Sequence, residues 1–295
     1  MRSILLLGLF FVFGIAQAQD SLSLTDLARW GRISLESPIF EERDSANQRF
    51  NRGLQKFLSI EGNYLKPLPE LSNMMRLESP DKRFAIYTWQ RPNASRKYER
   101  FGLLAGEFKG ETKVIVFKDQ LDQIPDLQFK RCEAEEWPGA IYYKIIEMPG
   151  EKYKFALLGL AMGESLNRKI IEIIKVGKKG KVTFGERHFK VDDWMDRVLN
   201  KPPRRLVLTY NAKYSSTLRW NEEAEMIIMD HLAPPEPKMK GLYQMYGPDF
   251  SYDGLFWDDG WWHLKTGVNF NTGQQIEIKP PSQPKDLPYR QGPGR

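Results

Sequence analysis

The chain has 295 residues, 44 Lys and Arg against 38 Asp and Glu, a formal net charge of +6 and one cysteine. A single Cys excludes an internal disulfide, so the fold rests on an apolar core, which a chain of this length can build. The basic excess is small and scattered, whereas a nucleic-acid binder gathers Lys and Arg on one face; nucleic acid is therefore not an expected partner.

In chain order, Met1-Arg2-Ser3 is followed by an apolar run from Ile4 to Ile15 and then by Ala16-Gln17-Ala18. A charged start, an apolar middle and a small-residue site make a secretory signal peptide, residues 1–18, cleaved between Ala18 and Gln19. The apolar run is shorter than the ~20 residues a membrane-spanning helix needs. No later stretch is long and apolar enough to span as a helix. The mature protein is expected in the periplasm or outside the cell, with a net charge of +5 once Arg2 is gone.

Residues 19–70 form a helical segment. Phe50, Leu54, Phe57 and Leu58 recur at helical spacing on a charged background, which predicts one or two amphipathic helices between Leu22 and Ile60. Gly62 and Pro67-Leu68-Pro69 end them. From about residue 71 to 278 the period becomes two, and runs of Ile, Val, Tyr, Phe and Trp alternate with Gly, Pro, Asn and Asp. The predicted hairpins are Met74–Glu78 with Phe84–Gln90, Phe101–Phe108 with Lys113–Phe117, Ala140–Glu147 with Tyr153–Leu160, and Lys169–Val176 with Lys181–Phe184. A meander of Leu206–Asn211, Ser216–Trp220 and Glu225–Asp230 follows, and Leu255–Trp257 with Trp261–Thr266 closes the series. The fold class is mainly β, an antiparallel hairpin meander forming a sandwich or partly open barrel in preference to a propeller. Residues 279–295 are a Pro-rich tail whose composition cannot build a core.

The densest chemistry lies between Tyr246 and Trp262. Asp249, Ser251 and Asp253 before Gly254 match the first half of a calcium loop, with Asp258 as a further oxygen donor, but Gly260 stands where the bidentate Glu belongs. Two tight turns account for the same residues without a metal. Tyr246, Tyr252, Trp257 and Trp261 are candidates for a platform on which sugar rings stack, although strand cores favour aromatics too. In an extended Trp261-Trp262 pair the two indoles face opposite sides.

Catalytic signatures are sparse. His188, His231 and His263 lack the spacing that would put two on one metal. Glu133, Glu135 and Glu136 read as an exposed acidic loop, and Cys132 has no His beside it in sequence to activate it. The basic clusters Lys178-Lys179-Gly180-Lys181 and Pro202-Pro203-Arg204-Arg205 read as solvated turns or as points of attraction to an anionic surface.

Three stretches, Trp137-Pro138-Gly139-Ala140-Ile141-Tyr142-Tyr143, Asp230-His231-Leu232-Ala233-Pro234 and Tyr246-Gly247-Pro248-Asp249-Phe250-Ser251-Tyr252-Asp253, resemble an uncharacterised family of exported Bacteroidota proteins over about residues 77–268. The resemblance implies the compartment and brings no activity and no functional residues. The resulting expectation is an exported, non-enzymatic envelope protein that binds or assembles with an envelope protein; the alternative is a glycan-binding or carbohydrate-active protein working through Tyr246–Trp262.

Overall fold

A computed structural model describes residues 23–95 and 97–269. The expected signal segment, its expected cleavage site and the Pro-rich tail lie outside the described residues. Among the described residues the architecture is mainly β, with two N-terminal helices followed by several mostly antiparallel sheets, none closed into a barrel.

Helix α1 (Leu24–Glu36) begins where Ser23 Oγ accepts the backbone N–H of Asp26 at 3.1 Å, supplying a partner to one of the free donors of the first turn. It stops before Pro38. Helix α2 (Phe40–Leu58) has no side-chain cap, but Glu41 and Glu42 sit in its first turn, where the helix dipole favours negative charge. Gly62, at φ +75°, turns the chain away from the helical layer.

The first sheet is formed by β1 (Met75–Glu78), β2 (Phe84–Pro92), β3 (Tyr98–Phe108) and β4 (Glu111–Lys118), in that spatial order. Its hairpins follow the turn chemistry in the sequence: Lys109 and Gly110 both have positive φ, the geometry a two-residue hairpin turn requires. Leu27, Phe50, Leu54 and Leu58 of the helices bury against Ala85, Tyr87, Trp89 and Leu103 of this sheet. Each such large side chain contributes about 1.5–3 kcal/mol on burial. Trp89 Nε1 donates to Asn47 at 2.9 Å, and Arg91 binds Asp44 at 2.5 Å and Glu99 at 2.8 Å, so polar contacts fix the helices in register on the sheet.

The second sheet contains β5 (Cys132–Glu133), β6 (Ile141–Glu147), β7 (Lys154–Ala161), β8 (Leu166–Val176) and β9 (Val182–Phe184). After the short strands β10 (Phe189–Lys190), β11 (Asp193–Trp194) and β12 (Arg197–Val198), β13 (Arg205–Asn211) returns to this sheet and pairs with the first half of β8, while β9 pairs with its second half. The third sheet has the order β10, β17 (Trp261–Lys265), β16 (Gly247–Asp258), β15 (Met226–Ala233) and β14 (Leu218–Asn221).

The three sheets are stacked. Phe84, Ile86, Leu104 and Phe117 of the first meet Tyr142, Leu157, Ile170 and Ile174 of the second. The opposite face of the second sheet, with Leu158, Ile171, Ile173 and Leu206, meets Ile227, Met229, Leu255 and Trp262 of the third. The sandwich expectation therefore holds in a three-sheet form. Two details depart from the sequence-based hairpins. β13 does not join β14 and β15 in a meander but crosses to β8, and β10 lies parallel to β17. The driving force is the same in both cases: Leu206, Leu208 and Phe189 complete the core between the second and third sheets.

Arg205 also explains β13's placement. Its side chain is fully buried against the equally buried Glu172 of β8, with Nε 3.0 Å from Oε2. It also donates to the carbonyls of Leu127 and of Lys130, and Tyr142 donates its hydroxyl to Glu172. Burial, and then the Glu172 charge, pushes the Tyr142 hydroxyl pKa well above its usual value. Arg205 is thus an internal staple for the 127–132 connection, and Pro202-Pro203-Arg204-Arg205 is not a run of surface charge.

Candidate functional site

The pairing of β15 with β16 is regular from Met226 to Asp230 and resumes at Leu232, which sits opposite Pro248. Between Asp230, opposite Tyr252, and that point, His231 alone faces Asp249, Phe250 and Ser251. The extra residues bulge, with Phe250 at φ +70° and Ser251 donating both its N–H (3.0 Å) and its hydroxyl (2.7 Å) to Asp249 Oδ1. In a regular strand Asp230 and His231 would point to opposite faces; a bulge re-aims side chains. Here both line one cavity of about 230 Å3, with Asp253 from β16 and Asp193, Trp194 and Asp196 from the β11–β12 hairpin.

His231 Nδ1 lies 2.8 Å from Asp253 Oδ2, and Nε2 lies 3.9 Å from Asp249 Oδ2. Asp253 also accepts the N–H of Gly267 at 3.3 Å. The hydrogen bond to Asp253 raises the His231 pKa above its usual 6.5, with the Asp253, Asp249 and Asp196 charges adding to it against desolvation. Asp230 accepts the Thr217 N–H at 2.6 Å, yet burial still lifts its carboxyl pKa. Asp196 is held below the usual range, first by its hydrogen bond from Lys240. The hairpin that carries it turns on Met195 and Asp196, both at positive φ, and is anchored by Tyr246 donating to Asp196 at 2.7 Å and Trp194 Nε1 donating to Val207 O at 2.9 Å. The cavity thus presents carboxylates ready to accept hydrogen bonds, with an imidazole at its edge and an indole in its wall.

The four aromatics singled out in the sequence are not one platform. Tyr246 is fully buried, its hydroxyl bound to Asp196 and to the Gly241 N–H. Tyr252 is half-buried opposite Asp230. Trp257 packs edge-on against the buried Trp262, and Trp261 stands partly exposed beside His188. The two indoles of Trp261-Trp262 do divide between rim and core. His188 Nδ1 lies 2.9 Å from Gly260 O, which makes it the donor, and Nε2 accepts from Lys154 at 2.9 Å.

The four oxygen donors of the calcium pattern are likewise separated. Residues 247–258 are strand rather than loop. Asp249 and Asp253 both flank His231, Ser251 is spent on Asp249, and Asp258 lies at the far hairpin end, five positions or about 17 Å beyond Asp253 along an extended strand. Among the described residues, no group of three or more His, Cys, Asp or Glu side chains is arranged to hold a metal ion.

Comparison with protein-family models, curated proteins and solved structures finds no match. Elsewhere, Glu133, Glu135 and Glu136 pair with Lys181, Lys118 and Lys130 on the surface. Cys132 is fully buried and burial pushes its thiol pKa up, which disfavours the reactive thiolate. Sequence reasoning passed over Asp193, Trp194, Asp196, Asp230 and His231 as a constellation. One signal was present: Asp230-His231 interrupts an otherwise apolar strand with two adjacent polar residues, the footprint of a bulge.

Proposed function

We propose that this is an exported cell-envelope protein whose work is binding, and that the cavity around His231 receives a polar group of its ligand, bearing hydroxyls or an amine. The observation that carries this is the β15–β16 bulge, which turns two adjacent polar residues into one cavity beside the buried Asp253. Asp230 caps the Thr217 N–H, yet its carboxyl also lines the cavity and is lifted in pKa by burial, which fits a site kept for a partner. The signal segment and the resemblance to exported Bacteroidota proteins support the compartment.

A saccharide unit is the ligand the cavity favours. Its volume of about 230 Å3 is below that of a drug-sized pocket. It suits one ring, with carboxylates accepting from hydroxyls and Trp194 offering an apolar wall. The test is calorimetric titration of the mature protein with a panel of envelope saccharides, amino sugars and short peptides, repeated with Asp230→Asn and His231→Ala. Binding of one class, weakened at least tenfold in both variants, is the expected result. Binding that both variants retain overturns the site assignment, and indifference to the whole panel overturns the reading.

A further inference from the structure

The loop between β9 and β10 gathers positive charge with little to balance it. Arg131 binds Glu186 Oε1 at 2.8 Å, and Arg204 donates to the carbonyl of Gly185 at 2.9 Å. Arg187 stands exposed on the same loop, and Lys175 lies opposite Thr183, whose hydroxyl binds Glu186. Arg204 is crowded, and its pKa is lowered by partial burial and then by the charges of Arg187 and Arg131. Glu133, across β9 from Lys175, also feels Arg131 but is paired with Lys181, so Glu186 is left as the main counter-charge to Arg131, Arg187, Arg204 and Lys175. Such self-repulsion costs folding free energy and is relieved when anions arrive. The cluster is separate from the His231 cavity, which none of these residues lines.

We propose that Arg131, Arg187 and Arg204 form a docking face for the phosphate-bearing headgroups of an anionic lipid surface. Guanidinium forks match pairs of phosphate oxygens, and an open face meets a surface better than it encloses a small ion. The choice of lipid over nucleic acid rests on the export reading, since lipid headgroups are the abundant phosphates outside the cytoplasm.

The experiment is cosedimentation of the mature chain with vesicles of phosphatidylcholine alone or mixed with phosphatidylglycerol, at low and physiological salt. Binding to the anionic vesicles only, weakening with salt, is expected. Basic residues near an anionic surface each contribute about fivefold in affinity, so R131Q/R187Q/R204Q lowers partitioning by about a hundredfold. R32Q/R49Q/R52Q, which removes equal charge from the helical layer, leaves it within a few-fold. R131E/R187E alters exposed side chains only and serves if the triple variant melts early. Equal binding by the triple variant and the helical control overturns the proposal, as does failure of the native protein to bind anionic vesicles. Tighter binding to duplex oligonucleotide than to vesicles overturns the lipid assignment. N-terminal sequencing of the protein from its native cell separates the two ideas: a start at Gln19 with no vesicle binding refutes the patch and leaves export standing.

Discussion

Replacing Arg205 by Leu tests the internal staple most directly. Arg205 and Glu172 both have no solvent exposure, so the variant leaves a buried carboxylate whose remaining partner is the Tyr142 hydroxyl. Stranding one member of a buried ion pair costs about 3–5 kcal/mol. The carbonyl of Leu127 loses its donor at the same time and that of Lys130 keeps only the weak Cys132 thiol, at about 1–3 kcal/mol for each one left dry. These costs overlap, and a total near 4 kcal/mol or more is the conservative sum. For a chain of this size each kcal/mol moves Tm by about 2–4 °C, which gives a fall of roughly 8–16 °C. Calorimetric or circular-dichroism melting of the protein reads it. A double variant, E172Q/R205L, removes the stranded charge and should melt higher than the sum of the two single effects predicts, by about 2 kcal/mol of coupling. Cys132 offers an independent reading: its Sγ lies 3.8 Å from Arg205 Nη2, whose charge favours the thiolate, so loss of the guanidinium alone slows reaction with a disulfide reagent and faster reaction in R205L reports opening of the 127–132 connection. A Tm fall below about 3 °C, or strict additivity in the double variant, would refute the staple.

Three further outcomes are expected. His231 has its folded pKa raised above 6.5 by Asp253, so its stabilising contribution is complete below that value and is lost as pH rises through the folded pKa. Melting followed across neutral pH should lose that component in His231→Gln, and imidazole resonances in Asp253→Asn should titrate at lower pH than in the native protein. A Cβ at Gly106 would sit 2.4 Å from the Arg83 carbonyl oxygen and 2.7 Å from Phe84 Cβ, so Gly106→Ala should cost about 1–3 kcal/mol in urea unfolding. Trp89→Phe strips the donor from Asn47, which is 2% exposed, and should destabilise by about 1–3 kcal/mol, part of which N47L/W89F restores.

How much was legible varies with the range of the interaction. The hairpins β1–β2, β3–β4, β6–β7, β8–β9 and β16–β17 all stand where local alternation and turn residues put them, because a short antiparallel pair is specified by its own turn and faces. The helices too were legible from the spacing of Phe50, Leu54 and Leu58. The path of β13 was not, because what draws it to β8 is a partner 33 residues away, Glu172, and a core that exists only once the sheets stack. The candidate cavity was hidden for the same reason. Asp253 and Asp249 appeared as oxygen donors with the wrong partner in view, since a bulge depends on the pairing of two strands and leaves a weak mark on either one alone.

The shared edge of β8 has a consequence for how the protein comes together. Residues 166–172 wait for β13, whereas 174–176 can be closed at once by β9 just across its turn. A ribosome that has released the chain only through β9 therefore exposes half of a central strand's hydrogen-bonding edge, with Ile171 and Ile173 still uncovered on one face. Long-range closures of this kind are slow, so during synthesis the first sheet and its helices can settle early while the second sheet remains adhesive until residue 211 has emerged. The molecule's most vulnerable moment is thus set by a fork in one strand, and truncations ending between β9 and β13 should aggregate rather than fold as a smaller version of the protein.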